Sequence, residues 1–474
     1  MSVATTALPK IIQGGMGVGV SSWQLARAVA AAGQLGVVSG TALDVVVARR
    51  LQDGDPGGHV RRALQQFPDA GLAQRVLVRY LRPGGRLAGQ PYRPVPKLTL
   101  IPSRAGQELA VASNFVEVWL AKEGHGGVVG INYLEKVQMA TPAAAFGAIL
   151  AGVDYVLMGA GVPREIPRLL TDLAEGRVGS VGVVVAGDDQ QHRVELDPVD
   201  LLDVPVPELR RPHFLAIISA AVLASYLSRD EATRPDGFIV EGVPAGGHNA
   251  PPRGNLVLDK DNQPIYGPRD EIDLTKILAL GIPFWLAGGY STPDRVEEAI
   301  AAGAVGVQVG TLFALTDESG LTPELRARIF DELTEDTLEV RTDALASPTG
   351  FPFKVAQLSG TASEQAVYDE RPRLCDLSYL RTPYLNEDGD IGYRCPGEPV
   401  HMYVRKGGAI EDTVGRKCLC NALTANVGLG QTRGDGFSEP ALVTLGIDLE
   451  SAHALARHPE ARTAQGVVRW LTRS

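Results

Sequence analysis

PFWLAGGYSTPDRVEEAIAAGAVGVQVGT, residues 283–311, contains two short apolar runs that each end in glycine, with an amphipathic segment between them. The amphipathic segment starts after Thr292-Pro293 and stops at Gly303. Threonine caps helix N-termini well, proline suits the first helical position, and glycine suits the C-terminal end. The stretch therefore predicts a strand, a glycine turn, a capped helix, a second strand and a second glycine turn.

The same alternation of short apolar runs and helical segments recurs through the first 311 residues. Strands that alternate with helices favour a parallel sheet covered on both faces, and eight of them favour closure into a barrel. We therefore predict an α/β fold, a (β/α)8 TIM barrel with a helical insertion and an appended C-terminal cap region. The eight predicted strands are 10–13, 35–39, 128–132, 154–158, 214–219, 237–241, 284–287 and 305–309.

Three segments do not fit this alternation of strands and helices. Residues 52–127 are too long for a simple connection and predict an inserted helical excursion, and residues 178–200 predict an inserted β-hairpin. Beyond the barrel pattern, residues 347–434 are rich in Pro, Gly, Asp and Tyr and contain all four cysteines. We expect the barrel to occupy 1–319 and a helical and loop cap to occupy 320–474, closed by one final helix at 452–472.

Composition limits the class of partner. The chain of 474 residues is 45% hydrophobic and carries a net charge of −10, which argues against a nucleic-acid partner. The sequence contains no apolar run of the length that a membrane span requires. The N-terminal segment MSVATTALPKII lacks a signal-peptide pattern, so we expect a cytoplasmic protein with no membrane partner. Homo-oligomerisation is left open.

Glycine pairs follow the last two predicted strands. Gly288-Gly289 and Gly310-Thr311 place flexible backbone where the loops after strands seven and eight of such a barrel often bind a phosphate. Glycine lets backbone N–H groups approach an anion closely, and a helix N-terminus favours negative charge at the same spot. These loops therefore predict the phosphate site of a nucleotide-like cofactor.

His248 follows Gly246-Gly247 in the loop after the sixth predicted strand. The C-terminal ends of barrel strands form the catalytic face, and imidazole moves protons near neutral pH. The alternative is a histidine that is hydrogen-bonded for structural reasons alone. Its position favours the catalytic assignment.

Five short motifs occur in order along the predicted barrel: IIQGGM (11–16), GIN (130–132), AGGH (245–248), AGG (287–289) and VQVGT (307–311). Taken together in order and spacing, they resemble the nitronate monooxygenase (2-nitropropane dioxygenase-like) FMN flavoprotein family. The flavin-dependent enoyl-acyl-carrier-protein reductases are similar to this family. The resemblance covers roughly residues 10–315, apart from the insertions, and the family's first loop is usually closer to Ala-Pro-Met.

The resemblance implies FMN as the cofactor and His248 as the catalytic residue that faces it. It further implies that the phosphate loops are Gly288-Gly289 and Gly310-Thr311, and that Met16 and Asn132 lie beside the flavin ring. The implied cofactor-binding residues are Gly15, Met16, Asn132, Gly246, Gly247, Ala287, Gly288, Gly289, Gln308, Gly310 and Thr311.

Three activities stay open at this point. The leading hypothesis is oxidation of nitronates with O2, a monooxygenase reaction, in which a protonated His248 would hold the anionic substrate. The second is an FMN-dependent enoyl-acyl(-carrier protein) reductase that uses NAD(P)H on an acyl-thioester substrate. The third is a barrel without redox function that binds a phosphorylated small molecule.

Four cysteines lie close together in the sequence of the cap: Cys375, Cys395, Cys418 and Cys420. Zinc and iron–sulfur clusters both use four cysteine ligands. However, Cys418-Leu-Cys420 is not the usual C-x₂₋₄-C spacing, so incidental thiols are the alternative to a metal site.

Overall fold

Eight parallel strands form a barrel in the computed structural model, which describes residues 8–473. The residues before Leu8, which entered the argument against a signal peptide, lie outside this range. All strands of the described chain are β1 (Ile11–Gln13), β2 (Gly36–Ser39), β3 (Val129–Leu134), β4 (Tyr155–Gly159), β5 (Gly179–Val183), β6 (His192–Leu196), β7 (His213–Ile218), β8 (Gly237–Glu241), β9 (Phe284–Ala287), β10 (Gly306–Val309), β11 (Glu339–Asp343), β12 (Phe353–Gln357), β13 (Thr382–Leu385) and β14 (Ile391–Arg394).

The predicted barrel is confirmed by the pairing of its strands. Their order is β1-β10-β9-β8-β7-β4-β3-β2, with every neighbouring pair parallel. A parallel bridge between Ile12 and Leu35 joins the two ends of this order, through Gln13 N–H to Leu35 O at 3.0 Å and Leu35 N–H to Ile11 O at 3.1 Å. The sheet is therefore closed, and all eight strands present their carboxyl ends at one rim.

The barrel interior is filled by alternate residues of its strands. Trp285 is the largest of them, with 1% of its surface exposed, and its indole N–H donates to Pro9 O at 2.8 Å. Because inward and outward residues alternate along a strand, the interior cluster is separate from the larger core under the helices. Its buried members are Ile12, Leu35, Val37, Tyr155, Leu157, Leu215, Ile239, Trp285 and Ala287.

Eighteen α-helices lie within residues 8–473, and most of the first thirteen surround the barrel. They are α1 (Trp23–Ala31), α2 (Leu43–Gln52), α3 (His59–Leu64), α4 (Ala70–Tyr80), α5 (Arg104–Lys122), α6 (Thr141–Leu150), α7 (Ile166–Ala174), α8 (Pro198–Leu201), α9 (Ala221–Leu227), α10 (Leu274–Leu278), α11 (Pro293–Ala301), α12 (Thr311–Ala314), α13 (Pro323–Thr334), α14 (Gln365–Glu370), α15 (Val400–Arg405), α16 (Leu419–Ala425), α17 (Glu450–Arg457) and α18 (Ala464–Leu471). No helix in this part of the chain is long and apolar enough to cross a membrane.

The helix between β9 and β10 forms as its sequence predicts. Thr292 is the N-cap of α11 and its hydroxyl accepts from Arg295 N–H at 3.3 Å, with Pro293 in the first turn. Gly303 follows the C-cap with a φ of +91°, a left-handed conformation that glycine adopts without strain. The two glycine turns are therefore held at fixed positions on the rim.

The segment between β2 and β3 contains one barrel helix. α5 packs against α1, α2 and α6, as the helix of a βα unit does, although the sequence placed it in the insertion. Residues 53–103, which include α3 and α4, are the part that the barrel repeat does not explain. Residues 179–196 form the antiparallel pair β5–β6.

The C-terminal part is more structured than its composition predicts. It contains two antiparallel strand pairs, β11–β12 and β13–β14, which the expectation of helices and loops missed. The single final helix predicted at 452–472 was wrong: α17 ends at Arg457 and α18 begins at Ala464, with the 3₁₀ turn Pro459–Ala461 between them. Proline within a helical pattern ends the helix before it, which explains the break.

Candidate functional site

A cleft opens at the carboxyl ends of the barrel strands. Its cavity of about 250 Å³ is lined by the loops after β1, β3, β8, β9 and β10, together with residues from the C-terminal part. Every residue that the sequence assigned to catalysis or cofactor binding lines this one cavity. They are Gly15, Met16, Asn132, Gly246, Gly247, His248, Ala287, Gly288, Gly289, Gln308, Gly310 and Thr311.

The loop after β1 is fixed by a buried network of polar groups. Gln13 Nε2 donates to Ser21 Oγ at 2.8 Å, and Gln13 Oε1 accepts from Val37 N–H at 2.9 Å. Ser21 Oγ in turn accepts from Met16 N–H at 2.8 Å. Because each of these groups is satisfied inside the protein, the backbone at Met16 is held in one position beside the cleft.

Asn132 lies at the floor of the cleft against Gly15. Its Nδ2 donates to Gly15 O at 3.1 Å, and a Cβ at position 15 would lie 2.2 Å from the Asn132 Cβ. This position therefore requires glycine. The other side-chain atom, Asn132 Oδ1, is buried without a hydrogen-bond partner, and Gln308 Oε1 in the same cleft is in the same state.

Buried polar atoms without partners are uncommon in native proteins, because each costs free energy. Two such acceptors that line one cleft indicate a place for a ligand that donates hydrogen bonds. The amide edge of a planar heterocycle has the donors that these atoms lack.

The glycine turns after β9 and β10 supply hydrogen-bond donors in the same cleft. Gly289 has a φ of +83°, and the backbone N–H groups of Gly289 and Thr311 donate to no acceptor in residues 8–473. Thr311 Oγ1 accepts from Gly446 N–H at 2.9 Å. Free N–H groups beside the start of α12 favour an anion. Asp448 disfavours an anion at this place, because its carboxylate Oδ2 would lie only 3.6 Å from a Cβ built at Gly289.

His248 is positioned by the C-terminal part of the chain. Its Nε2 is 2.7 Å from Ser347 Oγ, which is also 2.8 Å from Thr349 Oγ1, and its ring contacts Phe353 edge-on at 4.8 Å. Burial lowers the pKa of His248 to about 4. The imidazole is therefore neutral near pH 7, which disagrees with the expectation of a protonated His248 that holds an anion.

Glu241, at the end of β8, is a site residue that the sequence did not single out. Its carboxyl group lines the cleft, and burial raises its pKa to about 7, although the charge of Lys354 opposes that shift. Lys354 is fully buried, donates from Nζ to Thr342 Oγ1 at 2.7 Å, and has a pKa that burial lowers to about 8. Glu241 lies at the end of a barrel strand and at the start of the loop that leads to His248. This position is the sequence signal that could have identified Glu241 as a site residue.

Other lining residues come from far along the chain. Phe353, Thr444 and Gly446 line the cleft, and Lys354 N–H donates to Gly247 O at 2.9 Å while Gly247 N–H donates to Thr444 Oγ1 at 2.9 Å. The cap therefore forms part of the wall. Residues this distant in sequence carry no local signal that predicts such contacts.

The four cysteines lie together at a small internal cavity beside α16. All four are free thiols, and no group of three or more His, Cys, Asp or Glu side chains within residues 8–473 is placed to hold a metal ion. Burial raises the pKa of Cys395, Cys418 and Cys420. The expectation of zinc or an iron–sulfur cluster therefore finds no support.

Residues 202–347, which contain β7 to β10, His248 and both glycine turns, match the family model described as nitronate monooxygenase. The resemblance to the nitronate monooxygenase family is confirmed. Probable nitronate monooxygenases of Staphylococcus aureus are similar to this chain: that of strain Newman is 27% identical over 168 residues, and that of strain JH9 is 26% identical over 168 residues. Each alignment covers 33% of this chain and 46% of the relative, so the chain spans about half the length of the curated relatives it matches.

Two solved structures are similar to the whole chain at low identity. FabK from Thermotoga maritima is 16% identical, with 98% of this chain and 91% of that chain covered and a TM-score of 0.48. Nitroalkane oxidase from Streptomyces ansochromogenes is 17% identical, with 99% and 96% covered and a TM-score of 0.44.

We predict that Glu241→Gln becomes more stable relative to the wild type as pH rises. The unfolded carboxyl releases its proton near pH 4.5 and the folded one only near pH 7, so the wild type loses stability across this window. The amide has no such loss, and the difference in unfolding free energy between the two proteins should shift by about 1–3 kcal/mol from pH 5 to pH 8. Chemical denaturation at both pH values measures it. Glu297→Gln, at an exposed site on α11, is the control, and an equal difference at both pH values for Glu241→Gln would contradict the assignment.

Proposed function

We propose that the protein is an FMN-dependent oxidoreductase that acts on a small-molecule substrate. The observation that carries this proposal is the composition of the cleft. Buried acceptors without partners, Asn132 Oδ1 and Gln308 Oε1, line the same cavity as the free N–H groups of Gly289 and Thr311. A flavin mononucleotide has the N3–H of its ring and the hydroxyls of its ribityl chain as donors for the former, and a phosphate for the latter. The family domain supports this choice.

The residues present fit this cofactor at both ends. Gly289, Gly310 and Thr311 would hold its phosphate with backbone N–H groups, and Met16 and Asn132 would lie beside its ring. Gly15 keeps the floor of the cleft flat, since any side chain there would collide with Asn132. When bound, the flavin supplies transfer of electrons or hydride, while the protein supplies orientation and proton control.

His248 has the role of a neutral hydrogen-bonding group in this proposal. Ser347 holds Nε2, and Nδ1 makes no hydrogen bond within residues 8–473, so one ring nitrogen stays available to a substrate oxygen. A neutral imidazole held at Nε2 by Ser347 offers Nδ1 to a substrate as a donor or as an acceptor, according to its tautomer. This orients a substrate without adding charge to a buried cleft.

The leading substrate class is a nitronate that is oxidised with O2, and the matching family model is its support. A second candidate is reduction of an enoyl thioester by NAD(P)H. Glu241 favours this second candidate: a carboxyl group that stays largely protonated up to pH 7 can deliver a proton to the carbon that becomes a carbanion after hydride transfer. Both reactions use the same flavin cleft, so they are separated by their substrates.

An absorption spectrum of the purified protein tests the cofactor. Bands near about 370 and 450 nm, the range of oxidised flavins, are expected after incubation with FMN. Oxygen uptake on addition of propyl-2-nitronate would then support the first reaction, and rapid anaerobic bleaching by NADPH the second. A protein that stays colourless and does not retain FMN would disprove the proposal.

His248→Ala should lower turnover by about a hundredfold while FMN stays bound, because the side chain contacts the substrate and not the phosphate loops. Ser347→Ala should cause a smaller loss of about tenfold, since it removes only the group that fixes the imidazole. Steady-state kinetics on the flavin-loaded enzyme measure both. Unchanged turnover in His248→Ala would rule out the catalytic assignment.

Gly289→Asp should weaken FMN binding by at least about tenfold, because it places a carboxylate beside Asp448 and the expected phosphate. Gly289→Asn is the matched control: asparagine has the same shape, tolerates positive φ and carries no charge. Asp448→Asn should have the opposite effect and tighten binding. Fluorescence titration with FMN measures all three, and equal affinities for the Asp and Asn variants of Gly289 would argue against a phosphate at this end.

A further inference from the structure

A second cavity, here called the outer cavity, lies in the C-terminal part beside the insertion. Its volume is about 680 Å³, and its wall carries the cations Lys97, Arg373, Arg381 and Lys406, with Glu398 and His401. Only one residue among these is an acid. None of them lines the flavin cleft, so the two cavities are separate.

The one acid is already neutralised. Glu398 is buried, with Oε2 at 2.6 Å from Lys406 Nζ and Oε1 accepting from Cys395 N–H at 3.3 Å. Lys97, Arg373 and Arg381 have no carboxylate oxygen within 4.0 Å in the described part of the chain. The outer cavity therefore carries three uncompensated positive charges in a protein whose net charge is −10.

One of the two guanidinium groups is held by a hydrogen bond before any ligand binds, and the other lies beside an aromatic ring. Arg381 donates from Nη2 to Leu98 O at 2.8 Å and lies 4.9 Å from the centre of the Tyr393 ring. Arg373 lies 5.4 Å from the centre of the Tyr368 ring, and its Nη1 is buried without an acceptor. A buried cationic donor without a partner is costly, and an anionic ligand removes that cost.

We propose that the outer cavity binds the phosphate group of an organic phosphate, independently of the flavin cleft. Phosphate matches the fork of N–H donors that arginine presents, and its charge matches three uncompensated cations. The volume lies in the range of pockets for small organic ligands and exceeds the need of a bare phosphate ion. The cations line a cavity and not an extended basic face, which disfavours a nucleic-acid partner.

Calorimetric titration of the FMN-saturated protein tests this site, since saturation fills the phosphate loops of the flavin cleft. The probes are adenosine 2′,5′-bisphosphate and inorganic phosphate. The bisphosphate should bind saturably below about 1 mM and at least about tenfold more tightly than inorganic phosphate. Absence of binding at about 10 mM, or equal affinity for both probes, would overturn the proposal.

Arg373→Gln and Lys97→Gln should each weaken bisphosphate binding, by about tenfold for the arginine and less for the lysine. Lys97 is exposed, so its variant tests the site even where a change at the half-buried Arg373 affects folding. Arg405→Gln, an exposed arginine on α15 outside the cavity wall, is the matched control and should bind normally. Binding that all three variants retain in full would place the ligand elsewhere and overturn the assignment.

Cys375 reports the location directly, because it lines the outer cavity. The bisphosphate should slow its alkylation by iodoacetamide, a neutral reagent, as followed by peptide mass spectrometry. An unchanged rate at saturating bisphosphate would contradict binding in this cavity. This readout requires neither turnover nor bound FMN, so a failure of the proposed function leaves the alkylation test valid.

Discussion

The site depends on backbone hydrogen bonds between the loop after β8 and chain that follows it by about a hundred residues or more. Lys354 N–H donates to Gly247 O, Asn249 N–H donates to Pro352 O, and Ile447 N–H donates to Pro244 O, at 2.9, 2.9 and 3.1 Å. The glycine-rich loop has few side chains with which to fix itself, so these bonds replace the packing that it lacks. This attachment fixes the position of the His248 ring, the wall of the cleft at Phe353 and the support of Thr311.

Burial controls the chemistry of the cleft. The protein is acidic overall, yet inside the cleft an imidazole loses its charge and a carboxyl group keeps its proton near neutral pH, because a low-dielectric environment disfavours every ionised form. Two further charged side chains lie close to the cleft: Lys354, deep in the cap, and Asp448, beside the glycine turns. A cleft of this kind favours hydrogen bonding and proton transfer over simple attraction of charged substrates.

Much of the barrel could be predicted from the sequence, because its signals are local. The segment 283–311 contains cap, first-turn proline and terminal glycine within one helix length, and all are present in the structure. The twelve proposed site residues lie at strand ends, and parallel strands bring those ends together at one rim. The contributions of Phe353, Thr444 and Ser347 could not be predicted, because they depend on pairing across long stretches of chain. The lowered pKa of His248 could not be predicted for a related reason, since burial is a property of the whole fold.

Residues 352–354 and 444–447 are attached to the loop after β8. This attachment determines the order in which parts of the protein become complete during synthesis. All eight barrel strands are complete once Val309 has emerged from the ribosome, but the wall of the cleft is complete only after residue 447. Domains fold largely as their residues emerge, so a nascent barrel would exist for a time with its rim loop unpaired. The wall of the cleft therefore acquires its shape only after all the barrel strands have been made.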